Sequence, residues 1–218
     1  MSMKLETNVD IVVNALRDRI ISHDLPPGVK LREQALAEQF KISRPRLREA
    51  FLILEDRGLI ERVKNQGARV IRLNAKMTHD LFELRSVLEG LAVRLATENV
   101  PPDSWDDLAE LFGTQAEEAI DAQNLDLYIS YVDKFRARTV AAADNTDLTN
   151  TLDMFLDRTK MLIRRLALVP GRAREGMLRH RDILKAMRAG DAVLAEQLKR
   201  ANIKEAQACF RQYESFLL

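Results

Sequence analysis

The chain has 218 residues, 46% of them hydrophobic and 31% charged, with eight glycines and six prolines. Such a composition suits a soluble, mainly helical globular protein and excludes disordered and collagen-like chains. The formal net charge of +1 hides an imbalance. Residues 1–75 carry 14 Lys/Arg against 10 Asp/Glu, net +4, while residues 76–218 are net −3, so a basic module that suits a polyanion partner precedes a mildly acidic one. No apolar run approaches the roughly 18 residues of a membrane span, and charges interrupt the N-terminal MSMKLETNVDIVVNALRDR where a signal peptide needs an apolar stretch. A cytoplasmic protein without a membrane partner is expected. The single cysteine, Cys209, has no internal partner and no Cys/His cluster has zinc-finger spacing. It is expected to be a small core or interface residue.

In chain order, VDIVVNALRDRIIS places Val9, Val12, Val13, Leu16 and Ile20 at i, i+3, i+4 spacing, an amphipathic helix that Pro26, Pro27 and Gly28 end. A short helix follows in REQALAEQF, with Leu36, Ala37 and Phe40 on one face. KIS forms a tight break, after which Ser43 is placed to cap a third helix by accepting a bond from a first-turn amide. Pro45 loses nothing in that first turn, where amides have no helical partner. The third helix is expected to reach about Asp56, with Leu47, Ala50, Phe51 and Leu54 inward and Gly58 as its stop. LIERVKNQGARVIRL then changes period. Ile60, Val63, Val70 and Ile71 flank the turn residues Asn65, Gln66 and Gly67, which predicts a two-stranded hairpin.

Helix, helix, tight turn, helix and basic hairpin is the order of a winged helix-turn-helix, whose post-turn helix enters the DNA major groove. At about 100° per residue, Arg44 and Arg48 share nearly one face of that helix and Arg46 points away from both. Facing out, such arginines bind guanine edges or phosphates. Each arginine taken singly reads equally as a solvated charge; the cluster within this helix order carries the DNA reading.

LREQALAEQFKISRPRLREAFLILEDRGLIERVKNQGARV resembles the DNA-binding domain of the GntR family of bacterial transcription regulators. The resemblance covers roughly residues 10 to 72. It implies that Ser43, Arg44 and Arg48 stand at DNA-contacting positions and that Gly67 is the wing-tip glycine. Gln34 becomes a candidate backbone contact. Where the family commonly has Thr-Pro, this chain has Pro45-Arg46. A hydroxyl able to bond phosphate is thereby exchanged for a longer cation, which makes Arg46 a further candidate contact and a source of a different operator preference.

Beyond Thr78 the periodicity predicts six helices, 78–98, 103–122, 125–143, 147–168, 173–189 and 191–216, separated by NVPPDS, AQN, ADNTD, LVPG and RAGD. An antiparallel helical bundle over residues 76–218, after a DNA-binding domain over 1–75, is the expected architecture. LFELRSVLEGLAVRLA, YVDKFRARTVAAADN and HRDILKAMRAGD are similar to segments of the effector-binding domain of the FadR-like subfamily, the FCD domain.

In many members of that subfamily an Asp and a His four residues apart, with two further histidines, hold a divalent metal that positions a small carboxylate effector. The resemblance maps those four positions to Val132, Arg136, His180 and Asn202, of which only His180 is a family ligand. A valine cannot ligate, and Arg136 places a permanent cation where the metal would sit. The implication is a protein with no metal cofactor, in which Arg136 grips an anionic effector with His180 and Asn202 as hydrogen-bond partners. Arg85 on the first bundle helix is a further candidate. If Arg136 faces the interior it needs an anion, either an internal carboxylate such as Glu89 or a bound one.

No nucleotide loop or His-Glu-x-x-His motif occurs, and three histidines, His23, His79 and His180, do not make an evident catalytic set. An enzyme is not expected. The favoured reading is a dimeric, ligand-responsive regulator of a palindromic operator, acting as a repressor. The rival is a helical dimerisation or protein-interaction module with an incidental basic hairpin and no effector.

Overall fold

A computed structural model of the chain describes residues 8–63 and 67–218, so the turn residues Asn65 and Gln66 lie outside the described residues. The described chain divides into two compact units, one formed by residues up to Asn74 together with Met154–Met161, the other by Ala75–Asp153 and Leu162–Leu218.

The first unit contains α1 (Asn8–Ile21), β1 (Lys30–Leu31), α2 (Glu33–Gln39), α3 (Arg44–Asp56), β2 (Ile60–Val63) and β3 (Gly67–Val70). Leu16, Ile20, Leu47, Ala50, Leu54, Leu59 and Val70 are wholly buried in one core. The α3 positions that the periodicity turns inward are thus the ones that pack. β3 pairs antiparallel with β2, Ile60 opposite Val70 and Val63 opposite Gly67, and on its other edge with β1, Leu31 opposite Ala68. The expected two-stranded hairpin is therefore a three-stranded sheet in the order β1-β3-β2. β1 is two residues long, too short to leave an alternation in the sequence.

Ser43 does occupy the N-cap position of α3, in extended backbone, but its side chain makes no capping hydrogen bond. Leu47 N donates to the Ser43 carbonyl at 3.0 Å instead. The α2–α3 break is made by Lys41, whose φ is +53°, a left-handed value uncommon outside glycine.

Met161 is fully buried in this unit's core, and the buried Asp157 carboxylate accepts from Arg17 Nε at 2.6 Å and lies 3.6 Å from Arg57 Nη1. The helix expected over 147–168 is thus broken into α8 (Thr146–Asp153) and α9 (Leu156–Ala167), and the first half of α9 packs with the N-terminal unit.

The second unit holds α4 (Ala75–Asn99), a 3₁₀ turn (Pro102–Trp105), α5 (Asp106–Glu110), a π turn (Leu111–Gln115), α6 (Ala116–Asp121), α7 (Leu125–Ala142), α8, the second half of α9, α10 (Arg172–Arg188), α11 (Ala192–Gln212) and α12 (Glu214–Leu217). The six expected helices are subdivided, because 103–122 is interrupted by the π turn and 191–216 stops at Tyr213. Short polar caps set several starts. Asn124, Asn145 and Asp191 side chains accept from the amides of Leu127, Leu148 and Leu194 at 3.0–3.1 Å.

α11 lies along α4 and α10, around a core that includes Trp105, Phe112, Phe135, Met177, Ile183 and Met187. In the π turn Gly113 has a non-helical ψ of −110°, which frees carbonyls. Arg181 satisfies them, donating to the Phe112 and Gly113 oxygens at 2.6 and 2.5 Å. That clamp holds Phe112 inward, where it shapes the site described below.

Candidate functional site

Two groups of basic side chains stand out, one exposed on α3 and one buried in the helical unit. On α3, Ser43, Arg44, Pro45, Arg46 and Arg48 are all exposed, because the inward face is taken by Leu47, Ala50, Phe51 and Leu54. Arg44 and Arg48 converge on one carboxylate of α2. Glu33 Oε2 accepts from Arg48 Nε at 2.9 Å and lies 3.6 Å from Arg44 Nη2. Arg46 turns away and pairs with Glu49 at 2.9 Å. Gln34, also exposed, donates to Glu38 at 3.1 Å. Gly67 opens β3 with φ +84°, and no atom of the described residues lies within 4 Å of where a Cβ would sit. Only its backbone conformation, and not crowding, requires glycine there.

The two arginines that share a helix face thus share a counter-ion. Glu33 holds both guanidiniums extended, yet the pairs are more than half exposed on the arginine side and therefore weak. A phosphate or guanine edge can replace Glu33 at small expense.

In the helical unit, Arg85, Arg136, His180 and Asn202 all line one cavity, of about 70 Å³ open to the centre of a water-sized sphere. The helices deliver them by period. Arg85 and Glu89 are one turn apart on α4; Tyr128, Val132 and Arg136 succeed one another by four on α7; Arg172, Gly176 and His180 do so on α10; Lys199 and Asn202 are three apart on α11. Lys199, Arg172 and Tyr128 are cavity residues absent from the sequence-based expectation, although stepping one or two turns along each helix from Asn202, His180 and Arg136 leads to them. Gly176 is fixed by close approach, since a Cβ there would stand 2.8 Å from the Tyr128 hydroxyl.

Arg85, Arg136, Arg172 and Lys199 are each at most 8% exposed, and among the described residues the one carboxylate lining the cavity is Glu89. Glu89 accepts from Arg85 Nε at 2.7 Å and from Lys199 Nζ at 2.9 Å. Burial alone would raise the Glu89 carboxyl; Arg85, Lys199 and Arg136 outweigh it and hold it well below the usual carboxylate range. Burial lowers Lys199 and Arg136 in turn, and the neighbouring guanidiniums add to it, against the support of Glu89 and, for Arg136, of Asp153 and Asp133 as well. Lys199 Nζ also sits 5.4 Å from the Phe135 ring centre, a cation–π contact.

Among the described residues Arg136 makes one long hydrogen bond, to the Leu152 carbonyl at 3.4 Å. Arg172 donates to Asn202 Oδ1 at 3.2 Å, so that amide oxygen is occupied. His180 stacks on Phe112, centroids 4.7 Å apart, and meets Phe135 edge-on at 4.9 Å. Burial, chiefly, pushes His180 down to about 3, and the ring is neutral. Its Nδ1 lies 2.7 Å from the Gly176 carbonyl. A carbonyl only accepts, so Nδ1 carries the proton and Nε2 presents a lone pair. Among the described residues, Arg85 Nη1, Arg136 Nε, Arg172 Nη1 and His180 Nε2 are buried without a hydrogen-bond partner.

For a divalent cation this is a poor donor set: one imidazole lone pair, a carboxylate, Glu89, already engaged by Arg85 and Lys199, an amide oxygen already taken, a valine, and a surplus of fixed positive charge. Asp133, one residue from Val132, does not line the cavity. For an anion, the unpaired N–H groups and excess charge fit.

The described residues contain no helix long and apolar enough to cross a membrane. The FCD domain family model matches residues 80–205, and the model for bacterial regulatory proteins of the gntR family matches residues 8–70. A protein of Paenarthrobacter nicotinovorans described as "Probable D-xylose utilization operon transcriptional repressor" is 31% identical over 189 residues, 85% of this chain and 82% of that one. The Nta operon transcriptional regulator of Aminobacter aminovorans is 31% identical over 141 residues, 64% of this chain and 66% of its own length. This match therefore spans just under two thirds of that relative. Among solved structures, E. coli McbR/YncC has a TM-score of 0.79 at 24% identity, covering 96% of this chain and all of that one; at that identity the likeness speaks for the fold. With both family models matched in order and the FCD model spanning more than half of the chain, the protein belongs to the GntR family of bacterial regulatory proteins, transcriptional regulators and not enzymes, and carries an FCD domain.

Proposed function

We propose that the chain is a ligand-responsive repressor that binds a palindromic operator as a homodimer and senses a small carboxylate-type anion in its helical unit, without a metal. The observation that carries the sensing half is the buried cavity with four cations around one carboxylate and four unpaired polar atoms. A buried cation without a counter-ion is unfavourable, and a bound anion relieves it. Arg136 takes the place a cation holds in metal-bearing relatives, with Arg85 and His180 beside it. Asn202 acts through Arg172, whose guanidinium it orients.

The DNA half rests on the exposed Ser43, Arg44 and Arg48 of α3. Arg46 faces a flanking phosphate, Gln34 lies near the backbone, and Gly67 permits the wing turn. One such motif reads a short half-site, so two-fold symmetry supplies the second. Anion binding then shifts the balance between arrangements of the two DNA-binding units.

A gel shift with the DNA upstream of its own gene tests the first half. The expected result is a dimer-sized complex whose affinity falls steeply with salt and changes when a carboxylate is added. No binding to neighbouring upstream DNA at low salt would favour the interaction-module reading. Stoichiometric tightly held zinc in the purified protein would refute the metal-free site.

A further inference from the structure

The charges and unpaired polar atoms around the cavity suit one class of anion. We infer that the cavity recognises a compact dianion that also carries a hydroxyl, the two negative charges answering Arg136 and the Arg85–Arg172 side and the hydroxyl donating to His180 Nε2. This rests on the effector reading above and goes further by specifying charge and donor.

Of the four buried cations, Glu89 neutralises one while being shared by Arg85 and Lys199. Arg172 lies 3.7 Å from a carboxylate outside the cavity, the exposed Glu175. Four cations thus face two carboxylates, a surplus of two by count, and Arg136 has no salt-bridge partner within 4 Å among the described residues, Asp153 and Asp133 acting on it only from farther off. A monoanion would leave one of these charges buried and uncompensated; a dianion matches both. Arg136 Nε, Arg85 Nη1 and Arg172 Nη1 are the unused donors, on three different helices, so they suit two anionic groups approached from different sides.

His180 adds a demand of opposite sign. Its Nδ1 proton is spent on the Gly176 carbonyl, and its Nε2 is a buried acceptor without a donor. Neither a carboxylate nor a fully ionised phosphate oxygen can donate to it, whereas a hydroxyl can. Phe112 and Phe135 hold the ring in place, so it does not turn to meet another partner. The cavity, with about 70 Å³ open to the centre of a water-sized sphere, keeps the ligand small. A short hydroxy-diacid and a protonated phosphate share this chemistry.

Isothermal titration of the full-length protein distinguishes them, using hydroxymalonate and malate, their hydroxyl-free counterparts malonate and succinate, the monoanion lactate, and inorganic phosphate. Hydroxy-diacids are expected to bind at least tenfold tighter than the matching diacids and tighter still than lactate; phosphate binding with none by the diacids would assign the site to the phosphate source. In His180→Phe, which keeps an aromatic ring between Phe112 and Phe135, the hydroxyl preference should vanish while diacid binding persists. In Arg136→Met, diacids should bind no better than lactate. A cooperative melting curve for each variant excludes misfolding as the cause. Lactate binding as tightly as malate, or the preference surviving in His180→Phe, would overturn this inference and leave the anion-sensing reading intact. No binding by any of these anions would overturn both.

Discussion

The protein places arginine in two contrasting settings. On α3 the guanidiniums are more than half exposed and paired with exposed or partly exposed acids; in the helical unit they are nearly sealed and outnumber their carboxylate. Water screens the first set, so those residues contribute little to folding and are free to serve DNA. The second set is desolvated, so each charge there is either matched or costly. The same side chain is thus nearly neutral for stability in one unit and decisive in the other.

The sharpest way to break this contrast is to remove Glu89, the one cavity-lining carboxylate among the described residues. Glu89→Gln leaves three guanidiniums and an ammonium without their buried anion, and thermal or urea unfolding should show a loss of about 3–5 kcal/mol, partly restored by a cavity-binding anion. The paired test on α3, Arg44→Ala with Arg48→Ala, should leave unfolding within about 0.5 kcal/mol of the parent. It should weaken operator binding by about 1–3 kcal/mol for each guanine that an arginine no longer reaches, read by gel shift. Arg136→Met removes a buried cation with no close anion. Unlike the usual large core change it should be neutral or stabilising, by up to about 1–4 kcal/mol in a melting experiment, while effector response is lost.

Acid should act on the buried site before the exposed one. Glu89 is held below its ordinary 4.5 by Arg85, Lys199 and Arg136 in the folded protein. Its contribution is present in full above pH 4.5 and is lost as the pH falls below that value. Denaturation midpoints followed downward from about pH 6 should fall there, and Glu89→Gln should flatten the dependence. The smallest effect belongs to Arg46. Arg46→Ala should reduce the salt dependence of operator binding by about one unit of slope without shifting the melting temperature. An unchanged slope would mean that Arg46 touches no phosphate.

Much of this arrangement is legible in the residues. Leu47, Ala50, Phe51 and Leu54 fix the inner face of α3, and so the outer one on which Arg44 and Arg48 must lie, because a helix has one period. The caps at Asn124, Asn145 and Asp191 stand where turn-type sequence predicts breaks. The break at Met154–Phe155 leaves no such mark, since no glycine, proline or cap residue signals it. It is decided by packing, because Met161 and Asp157 pack with the N-terminal unit. The π turn at Leu111–Gln115 is equally silent in the sequence, being stabilised by Arg181 from 68 residues away.

By itself the sequence determined the winged helix-turn-helix and the helical second unit, whereas the grouping of Arg136, His180 and Asn202 followed only from the resemblance to the FCD domain. Local period, turn chemistry and motif spacing are properties of neighbouring residues, which a linear reading contains. Only the tertiary structure decided that Lys199 and Arg172 join the cavity, that Glu89 bonds Arg85 and Lys199 and not Arg136, and that His180 Nδ1 meets the Gly176 carbonyl while Nε2 is buried. Charge balance in a desolvated space depends on which helices converge there, and that is set by packing between residues far apart in the chain.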